Sequence, residues 1–349
     1  MLNMSTCELG PGIASLSVEE REKRILGEAC SEIERKLPYM TEVEFLNEIE
    51  QVGASCRDLL PDIAEKLARL STHREESVLV LDFGAESVEN VGSTPFRYHR
   101  KEETHNLYAP DILRGAIVGI ANWYGYGYTT QQHGVIHNNV VPVKEYSEVQ
   151  GISASTLELG LHVEDASFNR GEGLDISPDF LTMHFFRNDK SVPTTLSVSD
   201  WSQLSSDSRD LLCEEWYFNK TNPGQGGSSN DSVRPVSVLY GPSDHPWIRL
   251  NTADIDYDRY TAEQSAALRE LVSNIESNSV EFPFSAGQVV IVDNRRVLHG
   301  RRRYDSQDVP RYDGTDRWQR RLVVSQDPSR LKKYEASSRL VDPRLLPSA

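Results

Sequence analysis

Between positions 157 and 164 the residues alternate without a break. Leu157, Leu159, Leu161 and Val163 fall on one side of a period of two, and Glu158, Gly160, His162 and Glu164 on the other. A helix would scatter both sets around its circumference, so this stretch is expected to be a strand with one apolar face. Its other face then presents His162 and Glu164 in the same direction. A sheet is needed to hold such a strand, and the chain supplies more candidates. Positions 78–81 form a short apolar run that ends in a Gly-containing turn, and 280–284 and 288–293 flank a Ser-Ala-Gly turn.

Helical patterns surround these strands. The first seventy residues read as helices: Ser17 and Glu20 form a capping-box pattern ahead of Val18, Ile25, Leu26, Ile33 and Leu37. Thr41 and Glu44 repeat the device before Phe45, Leu46 and Ile49, and a third stretch covers 58–70 with Pro61 near its start. Thr261 and Gln264 cap one more helix, with Ala267, Leu268, Leu271, Val272 and Ile275 on its inner side. Helices flanking many short strands suit a mainly β fold with a jelly-roll-type barrel core better than alternating βαβ units. One domain is expected over 1–349: a helical region at 1–75, a β core at 76–335 with lid insertions near 166–180 and 202–235, and a C-terminal tail at 336–349. Residues 220–232, rich in Gly, Ser and Asn, read as a surface loop.

Composition narrows the partners. Of 349 residues, 53 are acidic and 37 basic, giving a formal charge of −16 that repels nucleic acid and anionic membranes on average. A small-molecule ligand is expected. No apolar run approaches the ~20 residues of a membrane span and the N-terminus lacks a signal-peptide pattern, so a cytoplasmic location is expected. Cys7, Cys30, Cys56 and Cys213 are scattered, without zinc-site or disulfide spacing, and read as buried or incidental thiols.

Three segments carry chemistry. In the first, His162 and Glu164 at i and i+2 on a strand take adjacent positions on one metal ion, although a His-x-Glu triplet alone also occurs on solvated strand faces. In the second, the apolar run at 289–292 leads through Asp293, Asn294, Arg295 and Arg296 to His299 and Gly300, a glycine that lets the backbone approach a bound group. Two imidazoles and one carboxylate make a facial triad with three open positions on Fe(II), enough for a bidentate 2-oxoacid and O₂. In the third, a strand over 317–324 places Arg317, Gln319 and Arg321 on one face and Trp318, Arg320 and Leu322 on the other. Two guanidinium groups on one face suit two carboxylates, through planar bidentate pairing.

These segments, LELGLHVEDAS at 157–167, VIVDNRRVLHGR at 290–301 and RYDGTDRWQRRLVV at 311–324, resemble the clavaminate synthase-like group of Fe(II)/2-oxoglutarate oxygenases. The resemblance is nearest to the β-hydroxylases of free arginine, asparagine and enduracididine in peptide-antibiotic pathways, and it runs from about residue 75 to 335. Glutamate in place of aspartate in the triplet is itself a mark of that subgroup. The resemblance implies a double-stranded β-helix, the cupin-like jelly roll, and the cofactors Fe(II), 2-oxoglutarate and O₂. It implies His162, Glu164 and His299 as metal ligands and Arg317 as the anchor of the distal carboxylate of 2-oxoglutarate, with Thr195 supporting that arginine. Arg321 would hold the α-carboxylate of an amino-acid substrate, and Gln131, with Gln132 adjacent, its amino group. Ser153 or Ser155 would add a hydroxyl. Where the arginine hydroxylases grip a guanidinium with acidic residues, this chain has Asn251, Asp254 and Asp256.

The implied reaction is hydroxylation at C3 of a free L-amino acid or derivative in secondary metabolism. The alternative keeps the cofactors but desaturates, cyclises or oxidises an aminoacyl group on a carrier protein. Departures from the family pattern lie between 166 and 180, which is longer than usual, and in the extra residues beyond His299. His133, His137 and His184 read as core or loop histidines, the aromatic run at 123–128 as packing beside the sheet, and the basic residues at 301–303 as local salt-bridge partners.

Overall fold

The computed structural model describes residues 12–72, 75–97, 106–171, 173–220 and 234–347. The chain opens with β1 (Ile13–Ser17), helices α1 (Glu20–Lys36), α2 (Glu42–Cys56) and α3 (Pro61–Thr72), and β2 (Val78–Asp82). It continues through α4 (Asp111–Ile120), β3 (Tyr124–Tyr128), β4 (Asn138–Val140), β5 (Leu159–His162), β6 (Phe180–Arg187), β7 (Thr194–Val198) and α5 (Ser206–Leu212). The last third holds β8 (Leu239–Tyr240), β9 (Trp247–Ile248), α6 (Ala262–Ser277), β10 (Ser279–Phe282), β11 (Gln288–Asp293) and β12 (Val297–Arg301). It ends with β13 (Trp318–Ser325), α7 (Ser329–Lys332), β14 (Glu335–Ser337) and β15 (Leu340–Val341).

Among the described residues, nine strands form one sheet in the order β1-β2-β11-β6-β13-β3-β15-β14, with β4 also on β13. Four strands form a second sheet, β10-β7-β12-β5. The run Val289, Val290, Ile291, Val292 shows how they stack. Val289 and Ile291 pack into a cluster with Leu26, Phe45, Ile49 and Ile117 of the helices, while Val290 and Val292 join Leu196 and Val297 of the second sheet. A strand buried on both faces must be apolar throughout, which explains the unbroken run. Helix α6 covers the outer side of the small sheet: its Leu268, Leu271 and Ile275 share a cluster with Val163 and Leu298. No helix among the described residues is long and apolar enough to cross a membrane.

The helix signals hold where capping geometry decides them. Thr41 N donates to Glu44 Oε2 at 2.8 Å and Thr41 Oγ1 accepts from Glu44 N at 3.2 Å, and Thr261 with Gln264 does likewise at 3.1 and 3.2 Å. The first box is displaced, however. Ser17 ends β1, which pairs in parallel with β2, and α1 is capped two residues later by Glu19, whose N donates to Glu22 Oε2 at 2.9 Å. A parallel partner more than sixty positions away is invisible to a local pattern. The alternating stretch forms a shorter strand than expected, leaving Val163 and Glu164 beyond its end. The expected C-terminal tail is instead tied in: β15 pairs in parallel with β3, and Arg339 meets Glu50 at 2.7 Å. The expected loop at 220–232 lies, apart from Lys220, outside the described residues.

Candidate active site

Strand β12 lies between β7 and β5 and sets His299 directly opposite His162, with ring centroids 4.4 Å apart. The approach depends on Gly300. A Cβ there would lie 2.5 Å from the Leu159 carbonyl oxygen, so this glycine admits the neighbouring strand, where a bound group had been expected. Gly300→Ala is expected to push β12 from β5 and destabilise the protein by about 1–3 kcal/mol, the usual range for overpacking. An unchanged thermal melting curve would contradict that account.

Glu164 completes the set from the turn after β5. One ligand atom from each of His162, Glu164 and His299 lies within 4.8 Å of the other two. His162 Nδ1 faces the Gly160 carbonyl oxygen at 2.8 Å; donation there fixes the tautomer and turns Nε2 toward the other two residues. Burial pushes the His162 imidazole down to about 4, with His299 adding to the fall, so the ring is neutral at pH 7. Burial would raise the Glu164 carboxyl, but Arg321 foremost, then His299 and His162, hold it well below the usual carboxylate range. Glu164 Oε2 is buried without a hydrogen-bond partner among the described residues and stands 3.5 Å from His299 Nε2. The neutral imidazole of His162, the imidazole of His299 and an ionised carboxylate with an unsatisfied oxygen fit a divalent transition metal with open positions.

The arginine strand divides as its alternation predicts. Arg317, Gln319 and Arg321 line the same cavity of about 530 Å³ as the triad. On the reverse face Arg320 is fully buried, 2.8 Å from Asp111, and Asp111 also holds Arg114 at 2.6 Å, which pins α4 beneath the strand. Arg317 Nη2 donates to Thr194 Oγ1 at 2.9 Å and to Gln319 Oε1 at 3.0 Å. Thr195 was the expected partner, and the structure corrects this. Side chains alternate along β7, and Thr195, opposite Glu281 and Gly300 in the sheet, is not on the cavity side. Burial lowers the Arg317 guanidinium to about 10, leaving it charged at neutral pH, yet among the described residues it has no carboxylate within ion-pair distance.

Arg321 sits closer to the triad than expected. Its Nη1 lies 2.7 Å from Glu164 Oε1, and its Nη2 donates to Gln131 Oε1 at 3.1 Å and Asn138 Oδ1 at 3.3 Å. Gln131 in turn donates to Asp165 Oδ1 at 2.5 Å, whereas Gln132 binds the Asn139 carbonyl at 2.8 Å. Ser153, Asn251, Asp254 and Lys220 also face the cavity, and Asn251 donates to Asp254 Oδ2 at 2.6 Å. Two candidates fall away. Ser155 turns inward to the Ser147 carbonyl at 2.9 Å, and Asp256 is exposed, 3.8 Å from Lys220, two residues past the turn that carries Asp254. His137 and His184 are fully buried away from the cavity, while His133 lies on its wall.

Sequence reasoning missed Thr194, Asn138 and Asn294. Asn138 carries a signal in hindsight, because it alternates with Val140 on β4 and both face the cavity. Asn294 lies in the turn between β11 and β12, where no periodicity points to it.

Residues 199–323 match the family model described as taurine catabolism dioxygenase TauD, TfdA family. The chain is 28% identical to an enduracididine beta-hydroxylase from Streptomyces hygroscopicus over 279 residues, covering 72% of this chain and 78% of that one. Its fold is that of an asparagine oxygenase solved with Fe(II), 2S,3S-3-hydroxyasparagine and succinate, with a TM-score of 0.79, 21% identity, and 94% of this chain and 99% of that one covered. It is equally close to the non-heme iron oxygenase OrfP in complex with Fe and alpha-ketoglutaric acid, with a TM-score of 0.78, 23% identity and the same coverage of 94% and 99%.

Proposed function

We propose that this chain, which matches the TauD/TfdA dioxygenase family model over residues 199–323, is an Fe(II)- and 2-oxoglutarate-dependent hydroxylase that oxidises a free L-amino acid or a close derivative at C3 in secondary metabolism. One observation carries the reading: Arg317, a buried guanidinium without a carboxylate partner among the described residues, shares a cavity with an open His-Glu-His triad. A metal site alone would suit many reactions. A dicarboxylate co-substrate gives the second cation its purpose.

In this reading the two facing sheets are a double-stranded β-helix, supported by the match to the asparagine oxygenase fold. One domain spans the chain, with residues 76–335 as its core, and Ala166 and Ser167 of the 166–180 segment form part of the cavity wall. His162 Nε2, Glu164 Oε2 and His299 would hold iron. When bound, Fe(II) with 2-oxoglutarate and O₂ supplies insertion of one oxygen atom into a C–H bond, with succinate and CO₂ as co-products. Arg317, with Thr194 and Gln319 fixing its plane, takes the distal carboxylate of the co-substrate. Arg321 receives the α-carboxylate of the amino acid and Gln131 its amino group, so that C3 is turned toward the metal. Ser153 offers a further hydroxyl, and Asp254, whose carboxyl burial pushes up, is placed for a polar or cationic side chain.

The free carboxylate separates this reading from oxidation of a carrier-bound aminoacyl group. A screen of 2-oxoglutarate turnover across proteinogenic and non-proteinogenic amino acids, with product mass measured, is expected to find substrates that gain one oxygen. The matching amides are expected to turn over at least ~30-fold less efficiently, since Arg321 would lose its anionic partner. Equal turnover of amide or thioester would sink the free-acid assignment.

A further inference from the structure

We infer that Asn294 is a positioning residue for the metal-binding carboxylate. Its side-chain amide fastens the Glu164 peptide to the turn that leads into the His299 strand. The inference rests on the reading of Glu164 as a metal ligand.

Glu164 is the one member of the triad outside a strand. Strand β5 ends at His162, and Asp165 already has a left-handed backbone with φ of 54°. Val163 is still served by the Leu250 carbonyl at 3.0 Å, but neither sheet ladder reaches the Glu164 peptide. A side chain takes over both of its polar groups. Asn294 Oδ1 accepts from Glu164 N at 2.6 Å, and Asn294 Nδ2 donates to the Glu164 carbonyl at 3.0 Å and to the Pro178 carbonyl at 3.1 Å. Among the common side chains, a primary amide has the adjacent acceptor and donor that match a peptide in this way, and glutamine would overshoot by a methylene.

Asn294 is itself immobilised. It is 3% exposed, and its own N–H donates to the Asp179 carbonyl at 2.9 Å. The flanking Arg296 meets Asp293 at 2.6 Å, and Arg295 pairs with Asp179. Five residues further along the same chain segment is His299. The two-point clamp therefore ties the second ligand to the element carrying the third, and the separation between them is set by a side-chain amide. Partners of this kind, beyond the ligands themselves, typically change metal affinity by about 10–100-fold when removed.

The test is the equilibrium affinity of the metal-free full-length chain for Co(II) alone, read from visible absorption, with thermal melting of the same metal-free samples. Asn294→Ala is expected to weaken Co(II) binding by about 10–100-fold. Asn294→Asp keeps the size and the acceptor but loses both donations, so it is expected to fall between parent and alanine, and it decides the matter if the alanine variant does not fold. Unchanged Co(II) affinity in a folded variant, even with a lower melting temperature, would overturn the inference and leave Asn294 as a loop fastener. Glu164→Ala is the control. If it too leaves Co(II) affinity untouched, the metal-site reading itself fails; if it abolishes binding while the Asn294 variants bind normally, the clamp alone fails.

Discussion

Arg317→Ala is expected to raise the 2-oxoglutarate concentration for half-maximal turnover by roughly 30–1,000-fold, which corresponds to about 2–4 kcal/mol for truncating one partner of a buried charge pair. The expectation follows from the state of the residue before any ligand arrives. Arg317 is 8% exposed, and Thr194 and Gln319 hold its Nη2, but neither neutralises it. Desolvating a cation without an anion is unfavourable, so an incoming carboxylate recovers both the Coulomb attraction and the unmet hydrogen bonds. Arg317→Lys would keep the charge and lose the fork, and it is expected to lie between parent and alanine. The amino-acid requirement of either variant should change far less. Steady-state titrations of each substrate at saturating levels of the other check this, and a variant that shifts the amino-acid requirement instead would exchange the roles of Arg317 and Arg321.

The division between what the sequence makes legible and what it hides follows the range of the interactions. His162, Arg317 and Arg321 could be placed on common faces because a strand's period of two is local, and β13, with Arg317 immediately before its first residue, sends Arg317 and Arg321 into the cavity while burying Arg320 against Asp111. The capping boxes at Thr41 and Thr261 are local as well, four residues each, and they form as expected. Errors begin where register between distant segments decides. Thr194 and Thr195 are chemically equal in the sequence; the pairing of β7 with β10 and β12 selects which hydroxyl meets Arg317. Asp254 and Asp256 likewise differ by which side of one turn they occupy. The Asn294 clamp on Glu164 bridges 130 positions, and no pattern within a segment announces it. β1 was lost for the same reason, since its partner β2 lies beyond three intervening helices.

Arg321 is where the site departs most from a one-residue, one-role description. Its Nη1 is 2.7 Å from Glu164 Oε1, leaving Oε2 as the carboxylate oxygen that faces His299. A carboxylate held at one oxygen by a guanidinium presents the other oxygen alone, which favours monodentate ligation and keeps the remaining metal positions open. The same arginine has Nη2 on two neutral amide oxygens, Gln131 and Asn138, at 3.1 and 3.3 Å. An incoming α-carboxylate would replace those weaker contacts without competing for Nη1. Arg321→Ala is therefore expected to have two separable effects. The amino-acid requirement should rise by roughly 30–1,000-fold through the lost charge pair. Co(II) affinity measured with no amino acid present should fall by about tenfold, because Glu164 is no longer oriented. Arg321→Gln, which restores a donor without charge, should recover part of the metal affinity and little of the substrate affinity. If Co(II) binding by Arg321→Ala equals that of the parent, Arg321 serves substrate alone, and the orientation of Glu164 must then come wholly from its backbone.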